Sequence, residues 1–174
     1  NTSQIDVNVR IFFLKLVFHI ADKCHHLWCF GNGFLWPVDS DVYAGDIWSY
    51  VVPESELPVD WSSIGFDDSS WLTGEGGFGY GDGDDGTEIT PAVSVYLRRI
   101  FTVADAASLV SAILHADYDD GFVAYLNGTE IGRSSNLGDP GAFIPFDETT
   151  SSDHEAQLYQ GGYPDAYSLD SEQL

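Results

Sequence analysis

From Ala44 onward the sequence alternates between short β-type runs and clusters of turn-forming residues, and this alternation constrains the fold more than any other feature. Runs such as IWSYVV (47–52), SVYLRRIFTV (94–103) and GFVAYLN (121–127) are bounded by Gly, Pro, Asp and Ser. Turn signals at intervals of roughly 8 to 15 residues are typical of an all-β sandwich. Helical periodicity is nearly absent. The sequence therefore predicts an all-β fold in which two sheets pack face to face.

Two further runs, LVSAILHADY (109–118) and TEIGRS (129–134), also predict strands. The segment ADAASLVSAILHA (104–116) could begin a helical turn, but it also alternates as a strand does, so we predict a turn that leads into a strand. In the run 94–103, the apolar alternation breaks at Arg98-Arg99. This break predicts either a bulge or a strand that is partly buried on both faces, with Arg99 paired to an acidic loop.

The first 43 residues differ in texture from the remainder. IFFLKLVFHIA (11–21) is apolar but interrupted by Lys15, and it is shorter than the ~20 residues that a membrane-spanning helix requires. We therefore expect no membrane span. Arg10 ahead of an apolar core is typical of a signal-peptide remnant, while a buried strand of the domain and translated upstream sequence are the alternatives. We separate residues 1–43 as a leader or extension from a domain at 44–174.

The charge of the chain restricts its partners. Its 28 acidic and 6 basic residues give a formal net charge of -22, which repels phosphate backbones and anionic membrane surfaces. We therefore exclude nucleic acid as a partner. High solubility explains such acidity, and binding of divalent cations is the alternative. Hydrophobic residues make up 44% of the chain, which indicates a folded protein.

Cys24 and Cys29 are the two cysteines of the chain, and His25 and His26 lie between them. These four side chains are zinc-ligand types, but structural zinc sites usually draw on two short ligand pairs separated by a longer loop. No second pair follows, so the sequence does not predict zinc. The cysteine pair also leaves the redox compartment undecided.

Asn127-Gly128 lies between two β-type runs and is the sharpest local signal in the chain. Both residues adopt positive φ angles readily, as a two-residue type I′ hairpin turn requires. In the strand before it, residues 122, 124 and 126 should face one side and residues 123 and 125 the other. Because both sets are apolar, we predict that this hairpin lies inside the sandwich.

The segment Asp117-Tyr118-Asp119-Asp120-Gly121 precedes that hairpin. Aspartate side chains accept hydrogen bonds from backbone N–H groups in turns, and Gly121 would supply a left-handed or otherwise restricted conformation. We therefore interpret the segment as a tight turn. Contact with a ligand or calcium, and catalysis by the carboxylates, are the alternatives.

A similar spacing occurs in DGDDGTE (82–88). Calcium takes six to eight oxygen ligands, which are often closely spaced carboxylates and carbonyls in a glycine-bent loop. The glycine and ligand positions do not fit an EF-hand loop. As candidate Ca²⁺ ligands we assign the four carboxylates of this segment, Asp82, Asp84, Asp85 and Glu88, with a solvated acidic turn as the alternative.

The familiar catalytic patterns fail. His154-Glu155 begins a metalloprotease motif, but Leu158 stands where the second histidine must lie. GEGGFGYGDG (74–83) lacks the lysine of a phosphate-binding loop, and no Gly-x-Ser-x-Gly elbow occurs. We therefore predict that the chain is not an enzyme. A fragment of a glycoside hydrolase remains an alternative, because only the separation of its carboxylates in space would decide that chemistry.

Four motifs together carry a resemblance to a known family: FDDSSW (66–71), GFGYGDGDD (77–85), VYLRRIFTV (95–103) and DYDDGFVAYLNGTEIGR (117–133). In this order they resemble the galactose-binding-domain-like jelly rolls of secreted multidomain bacterial proteins. The resemblance implies a jelly-roll β-sandwich acting as a non-catalytic, extracellular accessory module. It also implies one or more core strands beyond Leu174, so we expect a C-terminally truncated domain.

Modules of this kind are commonly linked to carbohydrate recognition or to holding a neighbouring catalytic or adhesive domain. We expect carbohydrate binding here, performed by surface aromatics and polar loop groups. Aromatic rings pack against sugar C–H groups, and aspartates hydrogen-bond to hydroxyls. For Trp48, Trp61 and Trp71 we predict packing in the core or on a sheet. The expected partners are a glycan or neighbouring domains of a longer chain, and a ligand-free structural or docking module is the alternative function. As ligand-binding residues we assign Tyr80, Tyr118, Asp119 and Asp120.

Overall fold

The computed structural model describes residues 3–11, 14–21, 39–42, 45–81, 85–103 and 111–169. These residues form twelve strands and a single 3-10 turn at Leu158–Gln160. The strands, in chain order, are β1 Ser3–Ile11, β2 Leu14–Ala21, β3 Asp39–Val42, β4 Ile47–Val51, β5 Leu72–Glu75, β6 Phe78–Gly79, β7 Thr87–Glu88, β8 Val95–Val103, β9 Ser111–Tyr118, β10 Phe122–Leu126, β11 Thr129–Arg133 and β12 Asp165–Leu169.

The strands form two six-stranded sheets. Sheet A has the order β11-β10-β1-β8-β4-β5, and its neighbours are antiparallel. Sheet B has the order β12-β9-β2-β6-β7, with β3 also paired to β2. The prediction of an all-β sandwich is confirmed. The jelly-roll connectivity, and the strands expected beyond Leu174, stay predictions.

Strands β1 and β2 lie within residues 1–43, which the sequence predicts to be a leader or extension. In sheet A, β1 pairs with β8 on one side and with β10 on the other. In sheet B, β2 pairs with β9 along its whole length. These pairings correspond to the strand alternative for residues 3–11 and 14–21. Residues 22–38 lie outside the described residues, and the domain boundary at residue 43 stays a prediction.

The core between the sheets is built from alternate residues of facing strands. Leu97 of β8, Leu114 of β9 and Phe122 of β10 are at most 2% exposed and belong to one apolar cluster. Burial of such a side chain contributes about 1.5–3 kcal/mol relative to its exposure. Trp48, at 2% exposure, belongs to the same cluster, as predicted.

Strand β8 is buried on both faces over part of its length, which confirms one of the two predicted outcomes at Arg98-Arg99. Residues 94–98 are all buried, and the pairing of β8 with β1 is continuous through these residues. Arg99 forms an ion pair at 2.9 Å with Asp46, in the loop before β4. The predicted pairing of Arg99 with an acidic loop is also confirmed.

The Asn127-Gly128 hairpin forms as predicted. Asn127 has φ 52° and Gly128 has φ 84°, and the turn pairs Leu126 with Thr129. These angles are the ones that a type I′ turn requires. The hairpin thereby fixes the register of β10 and β11.

Among the residues that the structure describes, no helix has the length and apolar character that crossing a membrane requires.

Candidate functional site

Two regions bring chemically useful side chains together. The first is the acidic turn, defined as Asp117–Gly121, which connects β9 of sheet B to β10 of sheet A. The second is a cleft on the outer face of sheet A, which we name the sheet A cleft. The sequence predicted residues of the acidic turn, whereas no sequence signal predicted the cleft.

Asp117 has a structural role in the acidic turn. Its side chain is buried, at 3% exposure. Its Oδ1 accepts a hydrogen bond from the backbone N–H of Gln157 at 2.6 Å, and its Oδ2 accepts one from Leu158 at 3.2 Å. A carboxylate that satisfies backbone N–H groups at the start of the 3-10 turn anchors the chain there.

Tyr118 is buried as well, at 4% exposure. Its ring stacks on His154 with centroids 4.0 Å apart and also contacts Phe122. Its hydroxyl donates a hydrogen bond to Asp165 Oδ2 at 2.9 Å, and burial raises the pKa of that hydroxyl. The ring predicted as a sugar platform is thus packed against protein, and it offers no broad face to solvent.

His154 connects the segment after Ser152 to the acidic turn. Its Nδ1 lies 2.9 Å from the Tyr118 carbonyl oxygen, and its backbone N–H donates to Asp120 Oδ1 at 3.0 Å. Its Nε2 lies 4.0 Å from Asp165 Oδ2. In the sequence, His154 begins a metalloprotease motif that lacks its second histidine. Its packing role depends on a contact across 36 residues, which no local pattern indicates.

Asp119 is a carboxyl group of the turn whose pKa is raised. Burial, followed by the neighbouring charges of Asp120 and Glu155, raises its pKa from 3.8 to about 6. The carboxyl group of Asp119 remains partly exposed. A carboxyl group with this pKa can exchange a proton close to neutral pH.

The raised pKa of Asp119 predicts how the free energy of unfolding changes with pH. Well below pH 3.8 the carboxyl is protonated in both the folded and the unfolded chain, whereas between about 4 and 6 the folded chain largely keeps the proton and the unfolded chain loses it. Ionised Asp119 therefore costs stability above pH 6. Asp119→Asn should increase the free energy of unfolding at pH 7 by about 1 kcal/mol, after discounting for solvent screening, and leave it unchanged at pH 3.5.

Urea unfolding at pH 7 and pH 3.5 measures this difference. Asp153→Asn is the matched control, because Asp153 is exposed and its replacement removes the same charge from the chain. An equal gain for both variants at pH 7 would assign the effect to net charge. A gain for Asp119→Asn that persists at pH 3.5 would contradict the raised pKa.

The remaining predicted residues lie around β6 and β7. Tyr80 directly follows β6 and is partly exposed. Glu88 is exposed in β7, opposite Gly79, and the side chain of Asp85 approaches the backbone of Gly79 so closely that a Cβ there would lie 2.2 Å from Oδ1.

Asp82 and Asp84 lie outside the described residues. Among the residues that are described, no three His, Cys, Asp or Glu side chains form a group suited to a metal ion. Calcium binding by the 82–88 segment stays a prediction.

The sheet A cleft has a volume of about 400 Å³. Its floor is formed by outward-facing residues of β8 and β10, Tyr96 and Val123, and its walls by the segments 56–62 and 141–144. Ligand-binding clefts typically occupy about 300–1,000 Å³ and have mainly apolar walls with a few polar groups. Apolar wall and floor residues of the cleft are Leu57, Val59, Trp61, Val123, Phe143 and Ile144.

Aromatic rings dominate one wall of the cleft. The indole of Trp61 meets the ring of Tyr96 edge-to-face at 4.7 Å and that of Tyr125 at 5.4 Å between centroids. Phe143, on the opposite wall, is 73% exposed. Trp61 packs on the sheet as predicted, but it does so on the outer face, where it also lines the cleft.

Two carboxylates contribute polar groups to the cleft. Glu130 is held by both of its oxygens, which accept hydrogen bonds from Arg133 Nε at 3.0 Å and from a terminal nitrogen of Arg133 at 2.7 Å. Glu56 Oε1 accepts a hydrogen bond from the Phe146 N–H at 2.7 Å, across 90 residues of chain. Glu56 thereby links the segments that form the two walls.

Arg98 fixes the wall that carries Trp61. Its side chain is 1% exposed, and its guanidinium donates hydrogen bonds to the carbonyl oxygens of Trp61 and Ser63. Arg98 Nε lies 3.4 Å from Asp68 Oδ2, and Arg98 Cζ lies over the ring of Phe66. The buried cation thus holds the 61–68 segment against sheet A.

Comparisons of the chain with models of protein families, with curated proteins and with solved structures find no match.

Proposed function

We propose that this chain is a non-catalytic, extracellular accessory module that binds carbohydrate in the sheet A cleft. The observation that carries the proposal is the combination of partly exposed aromatic rings and carboxylates in a cleft of about 400 Å³. Sugars present C–H faces that pack on aromatic rings and hydroxyl groups that hydrogen-bond to carboxylates.

Trp61, Tyr125 and Phe143 supply the ring surfaces of the proposed site. Trp61 is held in place by its edge-to-face contacts and by the hydrogen bond from Arg98 to its carbonyl oxygen. A wall that is ordered before binding loses little conformational entropy when a ligand arrives. The acidic turn supports the proposal less well, since Asp117 and Tyr118 are buried.

Affinity gel electrophoresis with a panel of neutral polysaccharides tests the proposal. The gels should be run with calcium and with a chelator, because calcium at the 82–88 segment is a further proposal. Retardation by at least one polysaccharide is the expected result. If no polysaccharide retards the protein in either condition, binding of neutral glycans is overturned.

Phe143→Ala should weaken binding of a retarding polysaccharide roughly tenfold, the loss of about 1.4 kcal/mol of ring contact. The variant should fold normally, because Phe143 is 73% exposed. Tyr163→Ala is the matched control, since Tyr163 is an 88% exposed aromatic residue that does not line the cleft. Equal affinities for the two variants and the wild type would place binding elsewhere.

A ligand-free docking module is the second candidate function. Val59, at 95% exposure, and Phe143 both line the cleft, and exposed apolar side chains also suit a protein partner. In that case, Val59→Asp should abolish association with a neighbouring domain while polysaccharide gels show no retardation for any variant. Association can be measured by co-purification of separately expressed domains.

A further inference from the structure

Among the described side chains, the arginines that could recognise an acidic ligand already bind protein oxygens. Arg133 donates to Glu130 and to the carbonyl oxygens of Leu137 and Ala142. Arg98 and Arg99 are bound to protein oxygens as described above. These three are the arginines whose side chains the structure describes. These three arginines therefore offer no cation to a carboxylate or sulfate group of a ligand in the cleft. The net charge of the chain, -22, would also repel such an anionic group.

Glu56 contributes a negatively charged carboxylate to the cleft. Its Oε1 accepts the Phe146 N–H, whereas its Oε2 makes no hydrogen bond within the described residues. The side chain is exposed and lines the cleft together with Trp61 and Tyr125. Because Oε1 is held by the Phe146 N–H, Oε2 remains as an anionic hydrogen-bond acceptor on a residue that lines the cleft.

From this charge pattern we infer that the sheet A cleft selects glycans that carry a primary ammonium group, such as 2-amino-2-deoxy sugars, with Glu56 Oε2 accepting from the ammonium. This inference rests on the proposed carbohydrate function and specifies its ligand class. The amino sugar packs its C–H face on the rings while the ammonium pairs with Glu56. An N-acetylated unit would lose the ion pair, and a uronic acid would be repelled.

Isothermal titration with short oligosaccharides tests the inference: a β-1,4-linked glucosamine tetramer, its N-acetylated form as the matched ligand, and a galacturonic acid tetramer as an anionic ligand. Short ligands limit general attraction of a cationic polymer to an acidic protein. The amine form should bind about fivefold more tightly than the N-acetylated form at low salt. The galacturonic acid tetramer should bind most weakly, and the preference for the amine should shrink at high salt.

Glu56→Gln separates the site from the general field. The amide oxygen can still accept the Phe146 N–H, so the link between the walls is retained while the charge is removed. Glu54→Gln is the matched control, because Glu54 is exposed, lies two residues away, does not line the cleft, and changes the net charge equally. Glu56→Gln should reduce the amine preference to roughly twofold or less, whereas Glu54→Gln should leave it nearly unchanged.

The outcomes distinguish the inference from the function on which it rests. If Glu56→Gln and Glu54→Gln alter the amine preference equally, or if the galacturonic acid tetramer binds as tightly as the amine, the inference is overturned and carbohydrate binding stands. If neither these oligosaccharides nor the neutral polysaccharides bind, the proposed function is overturned. If the amine binds but Phe143→Ala does not weaken it, the cleft is not its site.

Discussion

Arg98→Met should lower the free energy of unfolding by about 3 kcal/mol, because it removes a buried cation that satisfies several protein oxygens. The carbonyl oxygens of Trp61 and Ser63 would lose the guanidinium as a donor, and Asp68 would lose its ion-pair partner. Methionine fills much of the volume but supplies no hydrogen bond. The change can be measured by urea unfolding monitored by tryptophan fluorescence.

Arg99→Met is the control for Arg98→Met, since it removes the same charge from the adjacent residue of β8. Arg99 is more exposed, with 21% of its side chain accessible, and pairs with Asp46. We expect it to cost about 1 kcal/mol or less. Equal losses for the two variants would show that net charge, and not the buried contacts of Arg98, determines the effect.

The role of Arg98 extends to the cleft. The 61–68 segment, which continues from the cleft wall at residues 61–62, has no strand of its own in the described structure, and the guanidinium contacts help to hold it against sheet A. In a folded Arg98→Met protein, wall residues 61–62 should shift, and the proposed carbohydrate binding should weaken even though Arg98 does not line the cleft.

Local chemistry explains why much of the fold was predictable. Asn127-Gly128 satisfies the φ requirement of a type I′ turn within two residues, so its signal does not depend on the remainder of the chain. The five strands predicted as 47–52, 94–103, 109–118, 121–127 and 129–134 occur as β4, β8, β9, β10 and β11. In each case apolar spacing and flanking turn residues agree with the tertiary structure.

The cleft was not predictable because its parts are distant in sequence. Trp61, Tyr96, Tyr125 and Phe143 come from four separate segments, and each taken alone is indistinguishable from an ordinary packing residue. Tyr118 shows the converse. Its position beside three aspartates indicated a surface role, whereas the stacking of His154, 36 residues later, buries it.

Gly121 illustrates a partial success. The sequence predicts a left-handed or otherwise restricted conformation, but Gly121 does not have a positive φ. Glycine is required there for space: a Cβ would lie 2.8 Å from both Ser134 Oγ and Thr150 Cγ2. These neighbours arrive from later segments of the chain, so the steric requirement could not be read from the turn itself.

Asp117→Ala should also lower the free energy of unfolding by about 3 kcal/mol. The buried carboxylate accepts the backbone N–H groups of Gln157 and Leu158, and alanine would leave both donors without their charged acceptor. Because these contacts position the segment after His154, the stack of His154 on Tyr118 should loosen as well. Hydrogen exchange should therefore show faster exchange of the 157 and 158 amides.

Two further variants decide whether Asp117 acts through its buried hydrogen bonds. Asp153→Ala removes an exposed carboxylate from the same segment that Asp117 anchors, and it should change stability by no more than about 0.5 kcal/mol. Asp117→Asn keeps a neutral acceptor and should fall between the wild type and alanine. If Asp117→Ala unfolds at the same urea concentration as Asp153→Ala, the carboxylate does not anchor the 3-10 turn, and the acidic turn would need another explanation for its buried charge.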